Sequence, residues 1–277
     1  MIREAARYAL KGKLLLVTLA AAAYMLCLSL PVIIVEQITG LWGFLERAAD
    51  EYIVLLANDP NPASIYEWAG SISTEGQGTF SFATILFLLL VPGPLTLGMS
   101  IIWLRLLRGQ KVFADMVFSG FGNFARSFLL NFLRTLLMAL WAILFLIPGV
   151  IAYYRYSFAF FLLADNPQMS PIMAINLSKY YMRGNKASRF FLDLSFLGWF
   201  ILAMIVLVFA SSIALDIIAA ETYTTSLFMS QLVISIIGSF ILAPLSAYRG
   251  LSAAEYYHRV ICQKPDSFKD PLLLPGV

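Results

Sequence analysis

The sequence predicts an all-α integral membrane bundle of six transmembrane helices, and three observations carry that prediction. Of the 277 residues, 60% are hydrophobic and 13% charged, against roughly 45–50% and 25% in a soluble domain. The hydrophobic residues gather into runs of about 20, the length a helix needs to cross a hydrocarbon layer of ~30 Å. The few charges alternate in sign between successive connections, which orients a multi-pass protein with both termini in the cytoplasm. The expected organisation is one six-span domain over residues 1–262 and a cytoplasmic tail over 263–277.

Residues 2–12 place Arg3, Arg7 and Lys11 four apart on one stripe of a short helix, suited to lie on an anionic leaflet. The first apolar run, about 14–35, begins like a secretory signal. It is too long for one, however, and neither an A-x-A-like cleavage site nor a lipoprotein site around Cys27 follows, so a retained span is expected. From Glu36 to Glu75 the chain carries Arg47 as its one basic residue among Glu46, Asp50, Glu51, Asp59 and Glu67, and an outer loop over 36–79 is expected. Leu41, Phe44, Leu45, Ala48, Tyr52, Leu55 and Leu56 fall at helical spacing within it, before the turn Asn58-Asp59-Pro60-Asn61-Pro62.

The second span covers about 80–107 and is interrupted by Pro92-Gly93-Pro94, where two prolines remove two backbone donors. Arg105, Arg108 and Lys111 mark its cytoplasmic end. A third span, about 127–147, reaches Pro148-Gly149, which either kinks one long helix or turns the chain. The charges favour a turn, because a continuous helix would carry Lys179, Arg183, Lys186 and Arg189 outside. A short fourth span, about 149–164, follows from that choice. Ser170 as N-cap, Pro171 at N1 and Gly184 as C-terminal cap then delimit an amphipathic helix on the cytoplasmic surface over 170–183. The fifth span (about 190–214), an outer loop with Asp216 and Glu221, and the sixth span (about 227–247) lead to Arg249, Arg259, Lys264 and Lys269 in the cytoplasm.

The series GPLTLG (93–98), LRLLRG (104–109), FSGFGNF (118–124), IPG (147–149), YRYSF (154–158), ADNP (164–167), AINLS (174–178), MRGNK (182–186) and LDLSFLGW (192–199) resembles a bacterial multi-pass membrane-protein family catalogued as a domain of unknown function, number nine hundred and seventy-five. The resemblance runs from Gly93 to Tyr257. It implies an inner-membrane protein distantly similar to the membrane domains of some glycerophosphodiester phosphodiesterases, and no particular activity. The chain departs from the family pattern at Ala152, Met173 and Asn185, where polar or charged residues are common.

Charged residues inside spans are the first candidates for function, since each costs at least ~2.5–3.5 kcal/mol at mid-bilayer unless paired or snorkelling. Arg134 and Asp193 fall at similar depth and are expected to form an intramembrane ion pair. Arg155, among Tyr153, Tyr154 and Tyr156 and with Asp216 or Glu36 as partner, is the candidate site for an anionic head group near the outer surface. Pro92, Gly93 and Pro94 form the kind of broken span whose freed carbonyls line transporter sites. Pro94-Leu95-Thr96 and Pro244-Leu245-Ser246 are faintly alike.

Enzyme signatures are missing from the sequence: the sole histidine, His258, lies beyond the last span, and no G-x-S-x-G, H-E-x-x-H or paired C-x-x-C occurs. No metal, cofactor or nucleic acid is expected. The leading expectation is a non-enzymatic protein of the bacterial cytoplasmic membrane that binds or moves a lipid-like or anionic amphipathic molecule, with membrane lipids as partners. The alternative is an interaction, immunity or scaffold protein that docks an exporter or secreted peptide through the acidic loop 36–79.

Overall fold

The computed structural model describes residues 2–38, 51–55, 57, 61, 63–65, 67, 80–219 and 223–262. Ten helices organise them: α1 (Ile2–Leu10), α2 (Leu14–Ile38), α3 (Phe80–Leu90), α4 (Pro92–Leu107), α5 (Phe124–Leu144), α6 (Leu146–Arg155), α7 (Ala159–Asp165), α8 (Pro171–Tyr181), α9 (Lys186–Ala219) and α10 (Tyr223–Cys262). A 3-10 helix, Ala114–Asn123, leads into α5. Six segments among the described residues are long and apolar enough to cross a membrane: Leu14–Val35, Thr84–Leu107, Ala114–Leu144, Ile147–Asp165, Lys186–Phe209 and Leu232–Cys262. The protein is an all-α membrane bundle. Most of the outer helix read at 41–56 lies outside the described residues, though 51–55 are helical.

The chain resolves into two compact units. Unit 1 comprises Met1–Met25, Leu89–Ile205 and Ser239–Val277, and unit 2 comprises Leu26–Leu88 and Val206–Gly238. In unit 2, the Ser235 hydroxyl donates to the Ser29 hydroxyl at 2.8 Å, a polar tie between α10 and α2. Unit 1 is built around α4, which packs against α1, the 3-10 helix, α5 and α7. Helices in lipid gain little from the hydrophobic effect between them, so close backbone approach matters more. The glycines of the GPLTLG and FSGFGNF stretches supply it. A methyl on Gly98 would overlap the Val117 carbonyl, and one on Gly120 would overlap the Pro94 carbonyl.

Three breaks shape unit 1, and each refines the sequence reading. The second span bends at Val91, so Pro92 and Pro94 fall in the first turn of α4, where a missing N–H is tolerated. The hairpin between the third and fourth spans turns at Phe145, whose backbone is extended (φ −160°, ψ 148°). Pro148-Gly149 therefore sit within α6, with the Cα of Gly149 facing Ala142 so closely that an added Cβ would come within 2.9 Å of it. The fourth span is itself interrupted at Tyr156–Phe158, a break the apolar run 149–164 conceals.

Helix α8 repairs that last break. The Ser178 hydroxyl donates to the Arg155 carbonyl at 3.0 Å and accepts from the Phe158 N–H at 3.2 Å, satisfying one group on each side of the turn. The expected surface helix is thus half an interior one. Ala174, Ile175, Leu177, Ser178 and Tyr181 are buried, while Ser170 caps its start by accepting from the Met173 N–H. Two further readings change. Helix α10 runs unbroken through Pro244 to Cys262, past the expected end of the sixth span at 247, so Arg249 and Arg259 lie on it. Helix α1 is docked: the Arg3 guanidinium lies over the Phe196 ring at 4.7 Å and donates to the Ser195 carbonyl, and the Tyr248 hydroxyl donates to the Arg3 carbonyl. Two of the three cations of the stripe, Arg3 and Arg7, also lie over rings of the bundle, Phe196 and Tyr248.

Candidate functional site

The expected Arg134–Asp193 pair does not form. Asp193 is taken by two other arginines: its Oδ1 accepts from the Arg249 Nε at 3.0 Å and lies 3.5 Å from the Arg189 Nη2. Arg189 and Asp193 stand one turn apart on α9, and their side chains are 8% and 9% exposed. Arg249 comes from α10 and also donates to the Tyr153 hydroxyl of α6 at 3.2 Å. A carboxylate inside a membrane bundle needs such partners, because its desolvation costs several kcal/mol, of order, unless paired.

Arg134 has no such partner. Its guanidinium lies 5.6 Å from the ring centroids of both Tyr153 and Phe160, and its Nε is buried with no hydrogen bond. Arg189 is half committed: Nη2 faces Asp193, while Nη1 is buried and unpartnered. Both arginines line one cavity of about 240 Å³ inside unit 1, to which α2, α4, α5, α6, α7, α9 and α10 contribute. Tyr24 and Thr96, which share a hydrogen bond of 3.3 Å, form part of the wall. Ser157, in the break of the fourth span, forms another part, and its hydroxyl is likewise buried without a partner. Thr96 and Ser246, from the two faintly similar tripeptides, both reach this wall. Among the described residues no carboxylate lines the cavity.

A second depression of about 340 Å³ lies beside it on unit 1. Its wall is aromatic and aliphatic (Tyr154, Phe190, Leu194, Leu197, Phe200) with Asp193 and Arg249 as the polar members. Adjacent residues on α6 and α9 divide between the two spaces. Tyr153 faces the first and Tyr154 the second, as do Arg189 and Phe190 respectively.

The tyrosine–arginine cluster expected around Arg155 disperses for the same helical reason, since consecutive residues on a helix point about 100° apart. Tyr156 is buried with the Lys179 ammonium 5.9 Å from its ring. The side chain of Arg155 is half-buried without a hydrogen-bonding or ionic partner among the described residues, and it sits near Lys179 of α8. Burial first, and that neighbouring arginine second, lower the Lys179 pKa from its usual value. Asp216 falls in α9, but its side chain is outside the described residues, as is that of Glu36. Arg155 ends α6, ten residues from the turn at Phe145, so it lies ~15 Å along the helix from it. Gly93 and Pro94 are buried in helix packing, with the Ser127 carbonyl 2.6 Å from where a Gly93 Cβ would stand. None of Pro92, Gly93 and Pro94 lines either depression.

Sequence reasoning singled out Arg134, which the structure brings to the cavity, but counted Arg189 and Arg249 only as cytoplasmic charges. The missed signal for Arg189 was its i,i+4 spacing to Asp193, which puts both on one face of the fifth span. For Arg249 the signal was weaker, because only the unbroken course of α10 keeps it inside the bundle. Among the described residues no group of three or more His, Cys, Asp or Glu side chains gathers as a metal site.

No curated protein and no solved structure matches the chain. Residues 143–264 match the model of a family described as "Protein of unknown function (DUF975)". The matched stretch carries α6 through α10, and with them Tyr153, Ser157, Arg189, Asp193 and Arg249, whereas Arg134 and the α2 and α4 walls of the cavity precede it. Across α6 to α10 the chain therefore resembles that uncharacterised family, in agreement with the motifs it carries there.

Proposed function

We propose that the protein is a binding protein or carrier of the bacterial cytoplasmic membrane that accepts an anionic, lipid-like molecule into the cavity of unit 1. The observation that carries this reading is that two arginines, half-buried Arg134 and buried Arg189, line a cavity that has no carboxylate among its described lining residues. Keeping unpaired cationic groups in a membrane bundle is costly. An anion that enters would recover that cost through charge-assisted hydrogen bonds. The rest of the wall, aromatic rings and hydroxyls, suits binding and passage rather than a reaction on the ligand. In this reading both termini are cytoplasmic, which is supported by charge: every Lys and Arg except Arg47 falls in unit 1, and most of the acidic residues fall in unit 2.

Native mass spectrometry of protein in mild detergent, titrated with phosphatidylglycerol or phosphatidylcholine, tests the proposal. The anionic lipid should be retained at least about tenfold more strongly, a difference worth ~1.4 kcal/mol. Arg134→Gln should erase that preference. Equal retention of the two lipids by the unaltered protein would sink it.

A further inference from the structure

The cavity that carries Arg134 and Arg189 is too small for a whole lipid. Pockets that enclose drug-sized molecules measure about 300–1,000 Å³, and this one measures about 240 Å³. It can take a head group, and the chain attached to that head must lie elsewhere. The depression of about 340 Å³ beside it has the complementary wall. Its two charged residues, Asp193 and Arg249, are paired at 3.0 Å and offset each other, and the rest of its lining is aromatic or aliphatic. Phe190, Leu194 and Leu197 stand at i, i+4 and i+7 on α9 and are all exposed, so this wall belongs to the side that a membrane helix turns to lipid.

Charge divides the two spaces. An anion is drawn to Arg134 and Arg189 in the first, whereas in the second it meets the Asp193 carboxylate. One hydrogen bond joins their walls: Arg249, from the second, donates through Nη2 to the hydroxyl of Tyr153, from the first, at 3.2 Å. The Tyr153 ring centroid also lies 5.6 Å from the Arg134 guanidinium and 5.1 Å from the ring of Tyr154, which it meets edge-on. Tyr153 thus stands at the border, with a cation on one side and the aromatic wall on the other.

Resting on the reading above, we propose that the two depressions form one divided site for a single membrane amphiphile. The anionic head lies in the arginine cavity, an alkyl chain lies along Phe190, Leu194 and Leu197, and the junction of the two passes Tyr153. A chain gains little by moving from lipid to this wall, because both are apolar. The head therefore supplies the preference and the wall supplies the position. Occupancy of the second depression by a chain depends on the head group in the first, which distinguishes a bound amphiphile from lipid that merely surrounds the bundle.

Photo-crosslinking reads that dependence. Full-length protein in mild detergent is incubated with phosphatidylglycerol or phosphatidylcholine carrying a diazirine in one acyl chain, and the labelled residues are located by mass spectrometry. The anionic probe should label Phe190, Leu194 and Leu197 at least about fivefold more than the zwitterionic one. Leu202, exposed on α9 but outside both depressions, should take equal label from the two. Arg134→Gln should bring the probes level at Leu194 and Leu197, and Leu197→Trp, which fills the wall with a larger apolar side chain, should weaken retention of phosphatidylglycerol about fivefold. Labelling at Leu194 and Leu197 that ignores the head group, or retention unchanged by Leu197→Trp, overturns the divided site, and a preference for phosphatidylglycerol that persists in native mass then leaves the anionic-ligand reading standing. Absence of that preference overturns both. The comparison of probes on the unaltered protein decides the matter even if a variant fails to fold.

Discussion

Two depressions of unit 1 treat charge in different ways. At the one lined by Tyr154 and Asp193, the carboxylate Oδ1 and Arg249 meet at 3.0 Å beside an aromatic wall, while Oδ2 is buried without a partner. At the one lined by Tyr153, Arg134 meets only aromatic rings and Arg189 reaches Asp193 at 3.5 Å with one nitrogen alone. The first arrangement is what a fold needs to tolerate a buried carboxylate. The second leaves charge only partly compensated, which is the usual mark of a site held ready for something else. The lesson is that depth in the membrane alone does not say which charge is structural. Its partner does.

That contrast can be broken by mutation, and the largest effect is expected on the paired face. Arg249→Met leaves Asp193 with only the longer Arg189 contact. Removal of one member of a buried pair costs 3–5 kcal/mol in general, and since Arg249 is 36% exposed a loss of about 2–3 kcal/mol is expected. Thermal unfolding in detergent reads it. A midpoint unchanged by Arg249→Met would mean that the Asp193 face is no more structural than the Arg134 face.

The next effect comes from the turn that carries Ser157 to the cavity wall. Ser178→Ala removes the hydroxyl that bridges the Arg155 carbonyl and the Phe158 N–H, and with it the support of the turn that carries Ser157. A loss of about 1–3 kcal/mol is expected. Faster amide exchange at Phe158 and weaker anion retention should accompany it. Exchange that stays slow at Phe158 would show that the break is held by packing alone.

The smallest effect, and the most diagnostic, has the opposite sign. Arg134→Met replaces a half-buried cation that has no ion-pair partner with an apolar chain of similar length, and stability should stay level or rise by about 1 kcal/mol while anion binding disappears. Destabilisation comparable to Arg249→Met would place Arg134 among the structural charges instead.

The number and order of the spans could be read from the sequence because hydrophobic length and loop charge act locally, one segment at a time. The hairpin followed from Lys179 to Arg189 for that reason. What could not be read was partner choice across the bundle. The sequence puts Arg134 and Asp193 at similar depth, yet the helices turn them to different neighbours, and no hydropathy pattern fixes rotation once a span is apolar all round. The break at Tyr156–Phe158 was hidden for a related reason. No Gly or Pro marks it, and its backbone is completed by a serine twenty residues away.

That distant serine has a consequence for biosynthesis. While the chain emerges, the fourth span enters the membrane with the Arg155 carbonyl and the Phe158 N–H still open, and Ser178 has not yet been made. An incomplete backbone has no stable place in hydrocarbon. The segment from Phe124 to Tyr181 is therefore the shortest piece able to finish this corner of the bundle, and a nascent chain that stops between Asp165 and Ser178 should remain within reach of water or of the insertion machinery until α8 arrives.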